Sequence, residues 1–163
     1  MPCGYTPSAI YRGSVLIMMS LSNTTGHAIR AMACLAGCSN PPASIKDLAA
    51  CAEVPQAYLA KIVKKLNDSG LIESRRGSQG GVWLARPPRL ISLWDISVAL
   101  EGEHVLSPCI FGSESCSNRR ACPNHEFWVK CRDSIRRELE KTKLSDVQEF
   151  YKKRDMHKME PIK

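Results

Sequence analysis

The chain has 163 residues, 44% of them hydrophobic, with 23 lysines and arginines against 16 acids and a formal net charge of +7. That length suits one domain, or a small domain with an appendage, and the apolar fraction excludes wholesale disorder. No apolar run is long enough for a membrane-spanning helix, so no membrane partner is expected, and the basic surplus points to a polyanion, nucleic acid first.

Residues 1–18 show no clear periodicity and read as an extension, disordered or ahead of the true start. Val15–Leu21 is apolar but lacks the flanks of a signal peptide, so a cytoplasmic location with reduced thiols is expected. Asn23, Thr24 and Thr25 can cap a first helix, in which Ala28, Ile29, Met32 and Leu35 recur at helical spacing until Gly37. Ser44 and Asp47 resemble a capping box opening a short second helix, Ile45 to Cys51. Pro55 suits the first position of a third helix. Tyr58, Leu59, Ile62, Val63 and Leu66 share one face of that helix, and Gly70 ends it as a left-handed cap. The period then changes. Leu71–Ser74 and Val82–Ala85 read as two strands around the glycine- and arginine-rich turn 75–81. Ser92 and Asp95 form a second capping-box pattern, starting a helix through Val98 and Leu100. Residues 101–125 read as a cysteine-rich loop, and a long helix runs from about Glu126 to Thr142 with Trp128, Cys131, Ile135 and Leu139 on one stripe. Residues 126–150 hold that helix and a short terminal one, and residues 151–163 form a charged, frayed tail.

Three helices followed by a hairpin with a basic tip is the order of a winged helix-turn-helix. Residues 19–100 therefore read as a DNA-binding domain within a mainly α fold with a small β-hairpin and a long C-terminal helix. A major groove about 12 Å wide admits one helix. Gln56, Tyr58 and Lys61, near the start of the third helix, are placed for base edges, and Lys61, Lys64 and Lys65 for phosphates. Arg75 or Arg76 could enter an adjacent minor groove, with glycines such as Gly80 permitting close backbone approach.

Eight cysteines is a high count for this length. Cys109 and Cys116 are separated by six residues, Cys116 and Cys122 by five, and His125 follows shortly after. Three thiols and one imidazole make a full set of four ligands. Zinc accepts such a set, but the long gaps are unlike its usual spacing and favour an iron–sulfur centre. Cys34 and Cys51 read as small core residues, and Cys131 as buried packing.

The opening Leu21–Met32, the stretch Tyr58–Leu66, Gly70-Leu71-Ile72 with Arg75-Arg76-Gly77 and Gly80-Gly81, and the three cysteines together resemble the IscR/NsrR-type winged-helix regulators of the Rrf family. The resemblance covers roughly residues 19–150. It implies a homodimeric transcription regulator whose long helix pairs with its twofold mate, through Trp128, Ile135 and Leu139, on a pseudo-palindromic duplex operator. It also implies a cluster held by Cys109, Cys116 and Cys122, with His125 matching the branch whose histidine completes a [2Fe–2S] site. Gly26 stands where the nitric-oxide-sensing branch has a carboxylate, and Ala60 where the iron–sulfur regulator has an acid that tunes site choice.

The expected function is thus a DNA-binding regulator, not an enzyme, whose operator affinity follows an iron–sulfur centre that senses iron, redox or nitrosative state. The alternatives are a zinc-structured DNA-binding protein that senses nothing, and an iron–sulfur electron carrier. No phosphate-cradling glycine loop follows a strand, since Gly77–Gly81 lies between two strands.

Overall fold

The computed structural model describes residues 21–38, 41–77, 80–102, 105–106, 109 and 122–158, the last five by backbone alone. The expected extension, 1–18, lies outside these residues, as does Cys116. Six helices and one hairpin follow in order: α1 (Asn23–Gly37), α2 (Ile45–Ala52), α3 (Gln56–Asp68), β1 (Ile72–Arg75), β2 (Gly81–Leu84), α4 (Leu93–Glu101), α5 (His125–Lys141) and α6 (Leu144–Lys158). This is the mainly α winged arrangement that the sequence predicts. No helix among the described residues is long and apolar enough to cross a membrane.

Local chemistry sets the ends. The α1 cap is Ser22 rather than Asn23 or the threonines, its hydroxyl accepting from Thr25 N at 3.2 Å. Ser44 caps α2 in the same way, and Ser92 with Asp95 makes a reciprocal capping box on α4. Pro55 is the α3 cap rather than its first helical residue, its carbonyl accepting from Tyr58 N and Leu59 N. Gly70, at φ 69°, takes the left-handed turn that releases the chain into β1.

The core gathers one face of each helix: Ala28, Ala31 and Met32 from α1, Leu48 and Ala52 from α2, Leu59, Ile62 and Leu66 from α3, and Ile96 from α4. Ile72 and Val82 bring the hairpin into the same cluster. The wing is antiparallel, with Glu73 opposite Trp83 and the indole N–H donating to the Glu73 carboxylate at 3.1 Å. It is also tied sideways. Ala43, just before α2, exchanges both backbone hydrogen bonds with Val82, at 3.0 and 2.9 Å. A Cβ on Gly81 would lie 2.7 Å from Pro42 Cβ and 2.8 Å from Ala43 O, so that close approach requires glycine.

The end of the chain departs from expectation. The tail is helical through Lys158, not frayed from residue 151. Leu144 is fully buried and its N–H donates to Ile91 O, while Leu93 N–H donates to Thr142 O. Gln148 reaches back to Ala36 O at the end of α1, at 2.8 Å. The core therefore does not stop at residue 100, because α6 closes over α1. The second departure concerns thiols. Cys34 and Cys51 are not separate core residues but a disulfide joining α1 to α2, with Cys51 exposed. Cys131 is half-buried rather than enclosed.

Candidate nucleic-acid interface and metal ligands

Helix α3 divides cleanly. Leu59, Ile62, Val63 and Leu66 are buried, and the opposite side presents Gln56, Ala57, Ala60, Lys61 and Lys64 to solvent. These five positions follow helical spacing, so they form one stripe of the size a major groove admits. Ala57 is an addition to the sequence-based set, and Ala60, marked above only for the acid it replaces, stands beside it. Their exposure on a helix that otherwise buries its apolar groups is the signal. Two methyl-bearing side chains there let the helix sit close to base edges and can meet thymine methyls.

Two of the predicted contacts turn away from that stripe. The Tyr58 hydroxyl lies 2.7 Å from Thr24 Oγ1, and its ring meets His27 edge-on at 5.7 Å between centroids. Tyr58 is half-buried and links α3 to α1, because an aromatic so placed gains more from packing than from water. Lys65 Nζ donates to Leu100 O at 3.0 Å, holding a carbonyl at the end of α4. Lys64 pairs with Asp68 at 2.7 Å, an exposed pair of small net worth that leaves the ammonium open to phosphate. Lys61 makes no ion pair among the described residues.

On the wing, Arg75 ends β1 opposite Gly81, and Arg76 and Gly77 are exposed beyond it. Gly80 N–H donates to Gly77 O at 3.0 Å, and a Cβ on Gly80 would collide with Arg75 O. Gly80 is thus demanded by the hairpin itself, before any approach to a ligand. Both arginines, Arg75 and Arg76, are exposed.

The candidate metal ligands lie between α4 and α5. Cys109 is buried, Cys122 and His125 are half-buried, and Cys116 lies outside the described residues. His125 opens α5, and its N–H donates to Cys122 O at 2.9 Å, which sets the two residues on one turn. Trp128, in the following turn, is buried within the chain, whereas Ile135 and Leu139 stay half-exposed. Among the described residues, no group of three or more His, Cys, Asp or Glu side chains is placed to hold a metal ion. The donor chemistry still fits: cysteine thiolates and an imidazole are ligands that an iron–sulfur centre or zinc accepts.

Residues 21–149 match the family model of Rrf2, described as an iron-dependent transcriptional regulator. The chain belongs to the Rrf2 family. The Rrf2 relatives include the HTH-type transcriptional regulator CymR of Bacillus subtilis, 32% identical over 110 residues, covering 67% of this chain and 74% of that protein. Among solved structures, CymR, the global cysteine regulator of B. subtilis, superposes with a TM-score of 0.69 at 28% identity, over 82% of this chain and 98% of its own. IscR of T. potens superposes with a TM-score of 0.66 at 26% identity, over 90% and 96%. Rrf2 relatives are DNA-binding transcription regulators, not enzymes.

Proposed function

We propose that this Rrf2 regulator is a cytoplasmic homodimer whose affinity for a pseudo-palindromic operator is set by an iron–sulfur centre, of [2Fe–2S] type, held by Cys109, Cys116, Cys122 and His125. Residues 19–100 form the DNA-binding domain, residues 101–125 the ligand loop, and residues from 126 onward the dimer arm, closed by a short terminal helix and a charged tail. Gln56 and the methyls of Ala57 and Ala60 meet base edges, Lys61 and Lys64 meet phosphates, and Arg75 and Arg76 meet the neighbouring groove. The half-exposed stripe with Ile135 and Leu139 faces the twofold mate, while Trp128 braces the helix from within.

One observation carries the switch. Cys122 and His125 sit on the turn that starts α5, and α5 is docked on α4, with Arg136 5.1 Å over the Trp94 ring and Leu93 N–H bonded to Thr142 O. A change of grip at that turn acts on the helix that would set the spacing of two recognition helices. A bound cluster supplies metal–sulfur bonds that respond to iron supply and oxidation. A coupling of about 1–3 kcal/mol would alter operator affinity about 5–150-fold.

Anaerobic purification with a visible spectrum and iron, sulfide and zinc counts tests this reading. The expected protein is coloured, contains iron and sulfide, and is bleached by Cys116→Ala, with His125→Ala altering the spectrum. A colourless protein carrying about one zinc per chain would establish the zinc-structured reading and remove the sensor.

A further inference from the structure

The Cys34–Cys51 bridge stands apart from the candidate cluster ligands, and its surroundings give it a use. On α1, Arg30 and Cys34 are one helical turn apart and so share a face. Cys51 and Glu53 lie at the opposite end of the contact, where α2 stops. Cys34 is bonded to Cys51, and Arg30 Nη1 lies 3.5 Å from Glu53 Oε2. Glu53 turns the chain through a left-handed conformation, φ 55°, and Val54 N–H donates to Ala49 O. Pro55 then caps α3. The bridge therefore grips α2 just before the turn that aims α3. Without it, α2 is an eight-residue helix held by the buried Leu48, Ala49 and Ala52, by the Ala43–Val82 backbone pair ahead of it, and by one ion pair just past its end whose carboxylate side chain is 72% exposed. An exposed pair of that kind holds little.

We propose that Cys34–Cys51 is a thiol-exchange site, open to low-molecular-weight thiols and disulfides from the side of Cys51, an exposed residue, and that its oxidation state sets how firmly α2 seats α3. The effect on DNA rests on the reading of α3 given above. Disulfides in reducing compartments are mostly transient or sensing, and this one is exposed on one side. A thiolate attacks Cys51 Sγ, the S–S bond breaks, and Cys34 leaves as thiolate and takes a proton from water. Cys51 is then a mixed disulfide. A second thiol attacks the small molecule's sulfur and frees Cys51, which is protonated in turn. Two small thiols are oxidised to one disulfide, and the protein disulfide is reduced to a dithiol. An oxidised small disulfide drives the reverse. The ligand loop takes no part, so this site responds independently of any cluster.

The test uses the full chain equilibrated with glutathione at varied ratios of reduced to oxidised forms. Alkylation and peptide mass analysis should show Cys34 and Cys51 becoming protected together as the linked pair. Cys34→Ser should accumulate glutathione on Cys51. Amides of α2, Leu48 to Ala52, should exchange with solvent faster in the reduced form, with α4 amides unchanged. A duplex selected by the oxidised protein from a random pool should bind the reduced protein about five-fold or more weakly. The Cys34→Ser/Cys51→Ser double variant should bind as the reduced protein does and ignore reductant, which separates this effect from thiols in the ligand loop. Independent alkylation of both cysteines at every ratio overturns the proposal, as does a double variant that responds to reductant as the parent does. If the oxidised protein selects no duplex, the DNA reading fails, and the alkylation and amide-exchange results still decide the exchange site.

Discussion

Helices α3 and α5 are both amphipathic, yet the chain completes only one of them. Helix α3 buries Leu59, Ile62, Val63 and Leu66 in the common core and leaves its polar stripe bare. Helix α5, at 17 residues, buries only Trp128, while Ile135 and Leu139 remain half-exposed and Phe127 is 62% exposed. One helix has its apolar partners inside the protomer, and its exposed face is free for a ligand. The other still carries apolar surface that water does not favour, the surface assigned to the second copy in the function proposed above. Position in the sequence does not explain this. Helix α6 follows α5 and returns to α1, so the core closes with Leu144 of α6 and leaves α5 outside it, docked on α4.

Truncation separates the two helices most strongly. Leu59→Ala should lower unfolding free energy by about 2–5 kcal/mol in a denaturant titration. The wing belongs to the same completed half. Gly81→Ala should cost about 1–3 kcal/mol through collision with Pro42 and Ala43, read as a lowered midpoint. Leu139→Ala should behave differently, with little change in the unfolding of a dilute monomer but a clear rise in the dimer dissociation constant by sedimentation. An equal loss of monomer stability at Leu59 and Leu139 would erase the distinction. Ser92→Ala, which removes the capping box where α4 meets the end of α5, should cost about 1 kcal/mol. The smallest expected effect lies on α3 itself. Lys61→Ala should reduce the slope of log affinity against log salt by about 0.9, whereas Lys65→Ala, whose ammonium holds Leu100 O, should leave the slope unchanged.

Much of the fold was open to reading because it rests on local rules. The capping pattern Ser92–Asp95, the 3.6-residue period of α3, and Gly70 before a change of period are all signals within a few residues of the structure they make. The candidate interface was legible in part. Gln56, Lys61 and Lys64 stand where helical spacing puts them, but Tyr58 and Lys65 carry the same residue chemistry and are claimed by Thr24 and Leu100, many positions away. No local pattern reports such a claim. The Cys34–Cys51 pairing escaped for the same reason, since α1 and α2 must first cross at one particular place for two sulfurs 17 positions apart to meet. A short terminal helix was legible, but its continuation past residue 150 and its docking on the core were not, because α6 is mostly polar, with Leu144 fully buried and Val147 and Tyr151 packed against the core.

From its order of residues alone the chain dictates where helices start and stop, where the hairpin turns, which faces are apolar, and that cysteines cluster ahead of α5. Those features depend on dihedral preference, capping and periodicity, which act over a few residues. Which lysine faces outward, which cysteines bond, and which apolar face is left without a neighbour were decided only when the helices packed. Those outcomes depend on distances between segments far apart in the chain, and only the assembled core sets them.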